Sequence, residues 1–142
     1  MKEVKGVLGI VFSRKKNEFF FLILHRVLNW QGWEFPKGRI DGKEKEENAL
    51  TRELEEETGL KKIKVLKKVN ARLNFSTGKE WRTNNVYLVQ ADMNEEINLL
   101  QEIIEHDSFK WAKENEVIKL LSFENQKEVF AKALIEIKKL FN

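Results

Sequence analysis

Residues 38–60 read GRIDGKEKEENALTRELEEETGL. Between Glu44 and Glu57 this stretch carries seven glutamates against two cations, Lys45 and Arg52. Like charges three or four residues apart on a helix repel by roughly 0.2–0.5 kcal/mol per pair. At about 100° per residue, and with Glu53 taken as zero, Glu57 falls near 40° and Glu56 near 300°. These three carboxylates share one helical face, and Leu50 and Leu54 lie beside them as an apolar edge. Glu55 points the other way and reads as ordinary surface. The helix therefore packs into a core along one edge while its acidic face looks into a neighbouring cleft. Lys45 and Arg52 cannot balance that face. Mg²⁺ or Mn²⁺ is the natural partner, because hard divalent cations take carboxylate oxygens and are commonly shared with substrate phosphates.

The surrounding chain has 142 residues and a net charge of +3, with 42% hydrophobic and 35% charged residues. That composition suits a globular chain and not a disordered one. The length suits a single domain spanning 1–142. The charge is too small to argue for nucleic acid by itself, though it sits easily with an anionic ligand. There is no cysteine, which excludes disulfides, zinc-thiolate sites and thiol nucleophiles. It also fits a cytoplasmic protein. No run approaches the roughly 20 apolar residues of a membrane helix. The apolar run Val7 to Phe12 is too short for a signal peptide and reads as a buried strand.

Val4–Phe12 and Glu18–Val27 read as two strands joined by the polar turn SRKKN. The run FFFLIL in the second has no polar face, so both its faces should be covered. Trp30 to Lys37 reads as irregular, with Pro36 disfavouring helix at Phe35. The acidic helix should run from Glu46 to Thr58, with Gly59 supplying the left-handed residue that ends it. Two further strands follow in IKVLKKVNARLNF and WRTNNVYLVQADM, then a short one in FKWA. Val129, Phe130, Ala133, Leu134, Ile137 and Leu140 form the stripe of an amphipathic C-terminal helix. The order predicts an α/β fold, a mixed sheet with helices on its faces.

The spacing of Gly38, Glu44, Arg52, Glu53, Glu56, Glu57 and Gly59, with Leu54 and Leu60, resembles a complete Nudix box. The resemblance implies an α/β/α sandwich and a metal-dependent hydrolase of a nucleoside diphosphate linked to another group. Position by position, it implies metal ligation by Glu53, Glu56, Glu57 and the Gly38 carbonyl. Arg52 would orient the glutamates through charge-assisted hydrogen bonds, and Glu44 would tie the loop to the helix. The metal would neutralise phosphate oxygens and lower the pKa of the attacking water. Members of the family differ over the general base. Glu105 sits where a loop base would, with Glu102 and Glu53 as rivals. Arg39 stands where many members have a second glycine. Lys45 stands where many have Ser or Thr, so the helix cap should be weaker.

The box does not select a substrate. The entry WEFPKG (Trp33 to Gly38) and the run IKLLSFENQKEVFAKAL resemble small prokaryotic asymmetric diadenosine tetraphosphate hydrolases. Lys37, Arg39 and Arg82 are then candidates for phosphate, and Phe75, Tyr87 and Phe123 for stacking on a base. Trp33 reads as packing, and neither His25 nor His106 has a partner pattern that points to catalysis. The entry to the box is also similar to that of RNA 5′-pyrophosphohydrolases, although no basic stripe with interleaved aromatics accompanies it. A house-cleaning nucleoside triphosphate pyrophosphatase is a further alternative. A nucleotide-sensing module without hydrolysis is the alternative from another class, and the intact box argues against it. The expected partner is a nucleotide or an RNA 5′ end, not a membrane, and the expected state is a monomer or weak dimer.

Overall fold

The computed structural model describes residues 1–141. Its centre is strand β1 (Lys2–Lys15), whose side chains alternate between two cores. Val7 and Val11 enter one, while Leu8, Ile10 and Phe12 enter the other. That alternation is the period of an extended chain, and it divides the molecule into layers. Strand β2 (Glu18–Arg26) returns antiparallel through Lys16 and Asn17, which have φ of 52° and 66°. Two consecutive positive φ values make the turn whose twist matches a hairpin. Phe21 to Leu24 are fully buried, with alternate residues in the two cores, as the continuous apolar run required.

Beyond Phe12 and Phe21 the two strands diverge. The segment between them and the acidic helix fills the fork. Strand β3 (Gly32–Glu34) pairs with β2 at Leu24–Arg26, and β4 (Lys37–Arg39) pairs with β1 at Gly6–Leu8. Phe35 and Pro36 lie at the bend. Pro36 has no N–H to lose, and its carbonyl accepts the Gly9 N–H at 3.0 Å. The buried Phe35 N–H is satisfied by Gln126 Oε1 at 3.1 Å. The stretch that reads as irregular in sequence is thus two three-residue strands, too short to carry a period.

On the other edge of β1, strand β6 (Glu80–Gln90) runs parallel, and β5 (Lys64–Ser76) pairs antiparallel to β6. Strand β7 (His106–Ala112) adds to β2. It begins three residues before the FKWA core, because its first residues are polar and carry no strand signal. Helix α1 (Glu46–Thr58) covers one face of the seven-stranded mixed sheet through Ala49, Leu50 and Leu54. Helices α2 (Glu114–Leu120) and α3 (Glu124–Leu140) cover the other, with Val117, Phe130, Ala133 and Ile137 buried against it. The result is an α/β/α sandwich. Helix α2 was not expected, because its seven residues bury only Val117. No helix among the described residues is long and apolar enough to cross a membrane.

Helix α1 starts without a side-chain cap at Lys45. Glu46 anchors that end instead, accepting from the Tyr87 hydroxyl at 2.6 Å and Asn85 Nδ2 at 2.9 Å. At the other end Gly59 is left-handed, with φ 77°, and its N–H closes on the Glu55 carbonyl at 2.8 Å.

Candidate active site

The acidic face of α1 meets β4 across Arg52. This guanidinium makes a two-pronged pair with Glu44, Nε to Oε2 at 2.9 Å and NH2 to Oε1 at 3.0 Å. It also donates to Glu53 Oε1 at 2.9 Å, Glu56 Oε2 at 3.2 Å and the Arg39 carbonyl at 2.9 Å. The hydrogen bond to Glu44 leads the effects that raise the Arg52 pKa, so it stays a cation. Glu44 Oε1 in turn accepts the Asp41 N–H at 3.1 Å. One arginine therefore fixes the loop 39–44 against the helix and aims two of its carboxylates.

Glu53 lies directly over Gly38. A Cβ on Gly38 would stand 2.0 Å from the Glu53 carboxyl carbon, so any larger residue here would have to displace the Glu53 side chain. Burial pushes the Glu53 pKa up, Arg52 pulls it back, and repulsion from Glu56 and Glu105 leaves it above the ordinary range. Glu57 is 4% exposed, and its Oε2 has no hydrogen-bond partner. Burial, then the charges of Glu53 and Glu105, raise it well above the usual carboxylate range. A buried, unpartnered carboxylate is costly unless a cation joins it. The donor set of carboxylate oxygens and a backbone carbonyl fits a hard divalent cation. Among the described residues no three acidic or histidine side chains are already drawn together as a metal cage.

These groups form one wall of an 860 Å³ cleft. Lys37, Arg39, Arg82, Phe75, Phe123 and Glu105 contribute to the rest of it. Lys37 lies 5.5 Å from the centre of the Phe75 ring. Arg82 is paired with Glu80 at 2.8 Å. Phe123, 49% exposed, meets Trp30 edge-on with ring centres 5.0 Å apart. Glu105 borders the cleft, whereas Glu102 is exposed and does not.

Tyr87 lies elsewhere, and its place as a base-stacking candidate is corrected. On β6, Val86 and Leu88 belong to the core under α3, while Tyr87 and Val89 belong to the core under α1. Arg82 and Asn84 share the even parity and reach the cleft. Tyr87 is one residue out of step with them, and its hydroxyl is spent on Glu46. The period of two could have shown this.

Sequence reasoning missed a buried polar cluster at the back of the cleft. Glu34, 1% exposed, accepts from Lys37 Nζ at 2.6 Å and Arg26 NH1 at 3.2 Å. It also pairs with His106 Nε2 at 2.8 Å. Burial alone would raise its pKa. The hydrogen bonds from His106 and Lys37 and the charges of Lys37 and Arg26 overcome that and hold it at about 2. Glu34 sits inside the WEFPKG entry with Lys37 three residues on, but its other two partners lie 8 and 72 residues away.

Comparison with known proteins identifies the family and the fold. The family model of the NUDIX domain matches residues 2–134. A rat bis(5′-nucleosyl)-tetraphosphatase [asymmetrical] is 32% identical over 110 residues, covering 75% of this chain and 73% of the rat protein. An RNA pyrophosphohydrolase of a Sulfurovum species is 30% identical over 135 residues, covering 86% of this chain and 85% of its own. A solved binary complex of a C. elegans Ap4A hydrolase superposes with a TM-score of 0.84 at 20% identity, over 96% of this chain and 98% of that one. With its box complete and its sandwich matched, the chain belongs to the Nudix family and is an enzyme, a hydrolase of phosphoanhydrides.

Proposed function

We propose that the enzyme hydrolyses dinucleoside polyphosphates, with diadenosine tetraphosphate split to ATP and AMP, and that it uses Mg²⁺ or Mn²⁺. The observation that carries this reading is the make-up of the cleft. Carboxylates stand on one wall, Lys37, Arg39 and Arg82 on the rest, and Phe75 and Phe123 at its borders. Its 860 Å³ lies toward the upper end of small-ligand sites, roughly 300–1,000 Å³, which suits a long anionic ligand with a base. The similarity to the rat tetraphosphatase supports the same substrate class.

Glu53, Glu56, Glu57 and the Gly38 carbonyl would hold the cation. When bound, it would neutralise phosphate oxygens and make water a better nucleophile. Arg52 keeps Glu53 and Glu56 oriented. Lys37 offers a point charge to phosphate, with Arg39 and Arg82 further along. Phe75 and Phe123 offer faces to a base. Glu105 is the general base: it takes the proton of the attacking water as that oxygen bonds to phosphorus and the bridging P–O bond breaks. The enzyme would act as one domain, a monomer or weak dimer, in the cytoplasm, where its lack of cysteine is at home.

A second reading, an RNA 5′-pyrophosphohydrolase, is favoured by the Sulfurovum relative, which aligns over more of the chain than the rat one. Incubation with diadenosine tetraphosphate or triphosphorylated RNA, each with and without Mg²⁺, separates the two. ATP plus AMP, formed only with metal and faster than pyrophosphate from RNA, is the expected result. Faster release of pyrophosphate or phosphate from RNA would move the enzyme to the RNA class. Glu105→Gln should lower turnover by a factor of roughly 10²–10⁴, and near-normal turnover would return the base to Glu53, since Glu102 does not border the cleft.

A further inference from the structure

The buried cluster behind the cleft has no part in the box, yet it touches what the box works with. Glu34 divides its carboxylate between two tasks. Oε1 takes Lys37, while Oε2 takes both Arg26 and His106. Each of the last two leads to Glu105. His106 is its neighbour in the chain and the first residue of β7. Arg26 NH1 stands 4.0 Å from Glu105 Oε2, and its Nε is fixed on the Leu28 carbonyl at 2.9 Å. The backbone closes the arrangement, because the Glu105 carbonyl accepts the Val27 N–H at 2.9 Å. The pairing of β2 with β7 slips at this point, so that His25 faces Ser108 and Arg26 faces His106. Such a slip re-aims the chain where a ladder ends.

A carboxylate at 1% exposure would be a poor choice for stability alone. An apolar side chain of similar size is often no worse than a buried ion pair. Its three partners explain its presence. Glu105 ends a stretch of 15 residues, 91–105, that contains no strand or helix. Without an anchor its side chain would be free to turn away from the cleft.

We propose that Glu34 is a positioning residue for the hydrolysis, setting the Glu105 carboxylate in the cleft through Arg26 and His106. Glu34 does not touch substrate: its effect on kcat passes through Glu105, and its hold on Lys37 bears on KM. The proposal rests on Glu105 being the base. The test is steady-state kinetics of Glu34→Gln, Glu105→Gln and the double variant on diadenosine tetraphosphate with saturating Mg²⁺, after thermal melts confirm folding. Glu34→Gln should lose at least about tenfold in kcat with a smaller change in KM. The double variant should be no slower than Glu105→Gln, because residues acting as one unit are not additive. Should Glu34→Gln fail to fold, Arg26→Lys keeps the charge but loses the fork, and it should show the same kcat loss and the same absence of effect beside Glu105→Gln. If the losses multiply, or if either variant keeps kcat within twofold while Glu105→Gln is slow, the positioning role is overturned. A silent Glu105→Gln would overturn the base assignment, and the positioning role with it.

Discussion

Arg52 carries the most connections of any side chain at the candidate site, and its neighbours explain why lysine could not replace it. Five donors in a fixed fork reach Glu44, Glu53, Glu56 and the Arg39 carbonyl together. A single ammonium lacks that geometry. As an outer group that aims the glutamates, Arg52 should matter to metal affinity more than to folding. Arg52→Gln is expected to weaken Mg²⁺ binding roughly 10- to 100-fold, as read by titration calorimetry, and unchanged affinity would remove it from that role. Glu34 ties the stability of the fold to pH. Its folded pKa of about 2 lies below the ordinary 4.5. A depressed carboxylate contributes stability that is fully present above its unfolded value and lost as pH falls through the folded one. The gap amounts to about 3 kcal/mol. Urea melts of wild type and Glu34→Gln should therefore converge as pH falls from about 5 toward 2, and a constant difference would contradict the pairing. The two residues also differ in legibility. Arg52 is legible because it stands at a fixed position of the box, beside Glu53 and four residues before Glu56. Glu34 is not, because two of its three partners, Arg26 and His106, arrive from β2 and β7.

Helix α1 shows how an element can be read correctly in extent and still hide its anchoring. Its span of Glu46–Thr58 follows from the apolar edge and from Gly59. Its uncapped start at Lys45 also follows, because no Ser, Thr, Asp or Asn stands there. What holds that start is a cross-element contact, Glu46 against Tyr87 and Asn85 of β6. The registers that bring β6 beside β1 are set by packing over the whole sheet, so the contact was invisible in sequence. Strands β3 and β4 and helix α2 were missed for a related reason: elements of three to seven residues lack the length to display a period. The Tyr87 contact is open to test. Tyr87→Phe removes a hydrogen bond to a charged acceptor, so it should lower stability by roughly 1.5–3 kcal/mol and leave KM for diadenosine tetraphosphate unchanged. A raised KM with intact stability would restore Tyr87 to the substrate site.

Across the whole molecule, the sheet forks to make the cleft, and α1 is packed so that its acidic edge lines it. The fold thereby accepts a local loss of stability for a binding site. Glu57 is where that loss concentrates. Its carboxylate is buried at 4% exposure, one oxygen has no partner, and Glu53 and Glu105 stand close enough to raise its pKa. Without a cation, removing that charge should relieve the fold. With a cation, the same change should remove a ligand. Glu57→Gln is therefore expected to melt higher than wild type in EDTA, by about 1 kcal/mol, or roughly 2–4 °C in a chain of this size. On adding Mg²⁺ the order should reverse, because a ligand that binds only the folded state raises wild-type stability by mass action, and the variant lacks part of the site. Calorimetric scans of both proteins with EDTA and with millimolar Mg²⁺ give the four temperatures needed. A variant that melts below wild type in EDTA would mean that Glu57 is a packing residue satisfied in its place. A variant that gains as much from Mg²⁺ as wild type would mean that the cation binds without it. Either result would break the link between the buried charge and the metal.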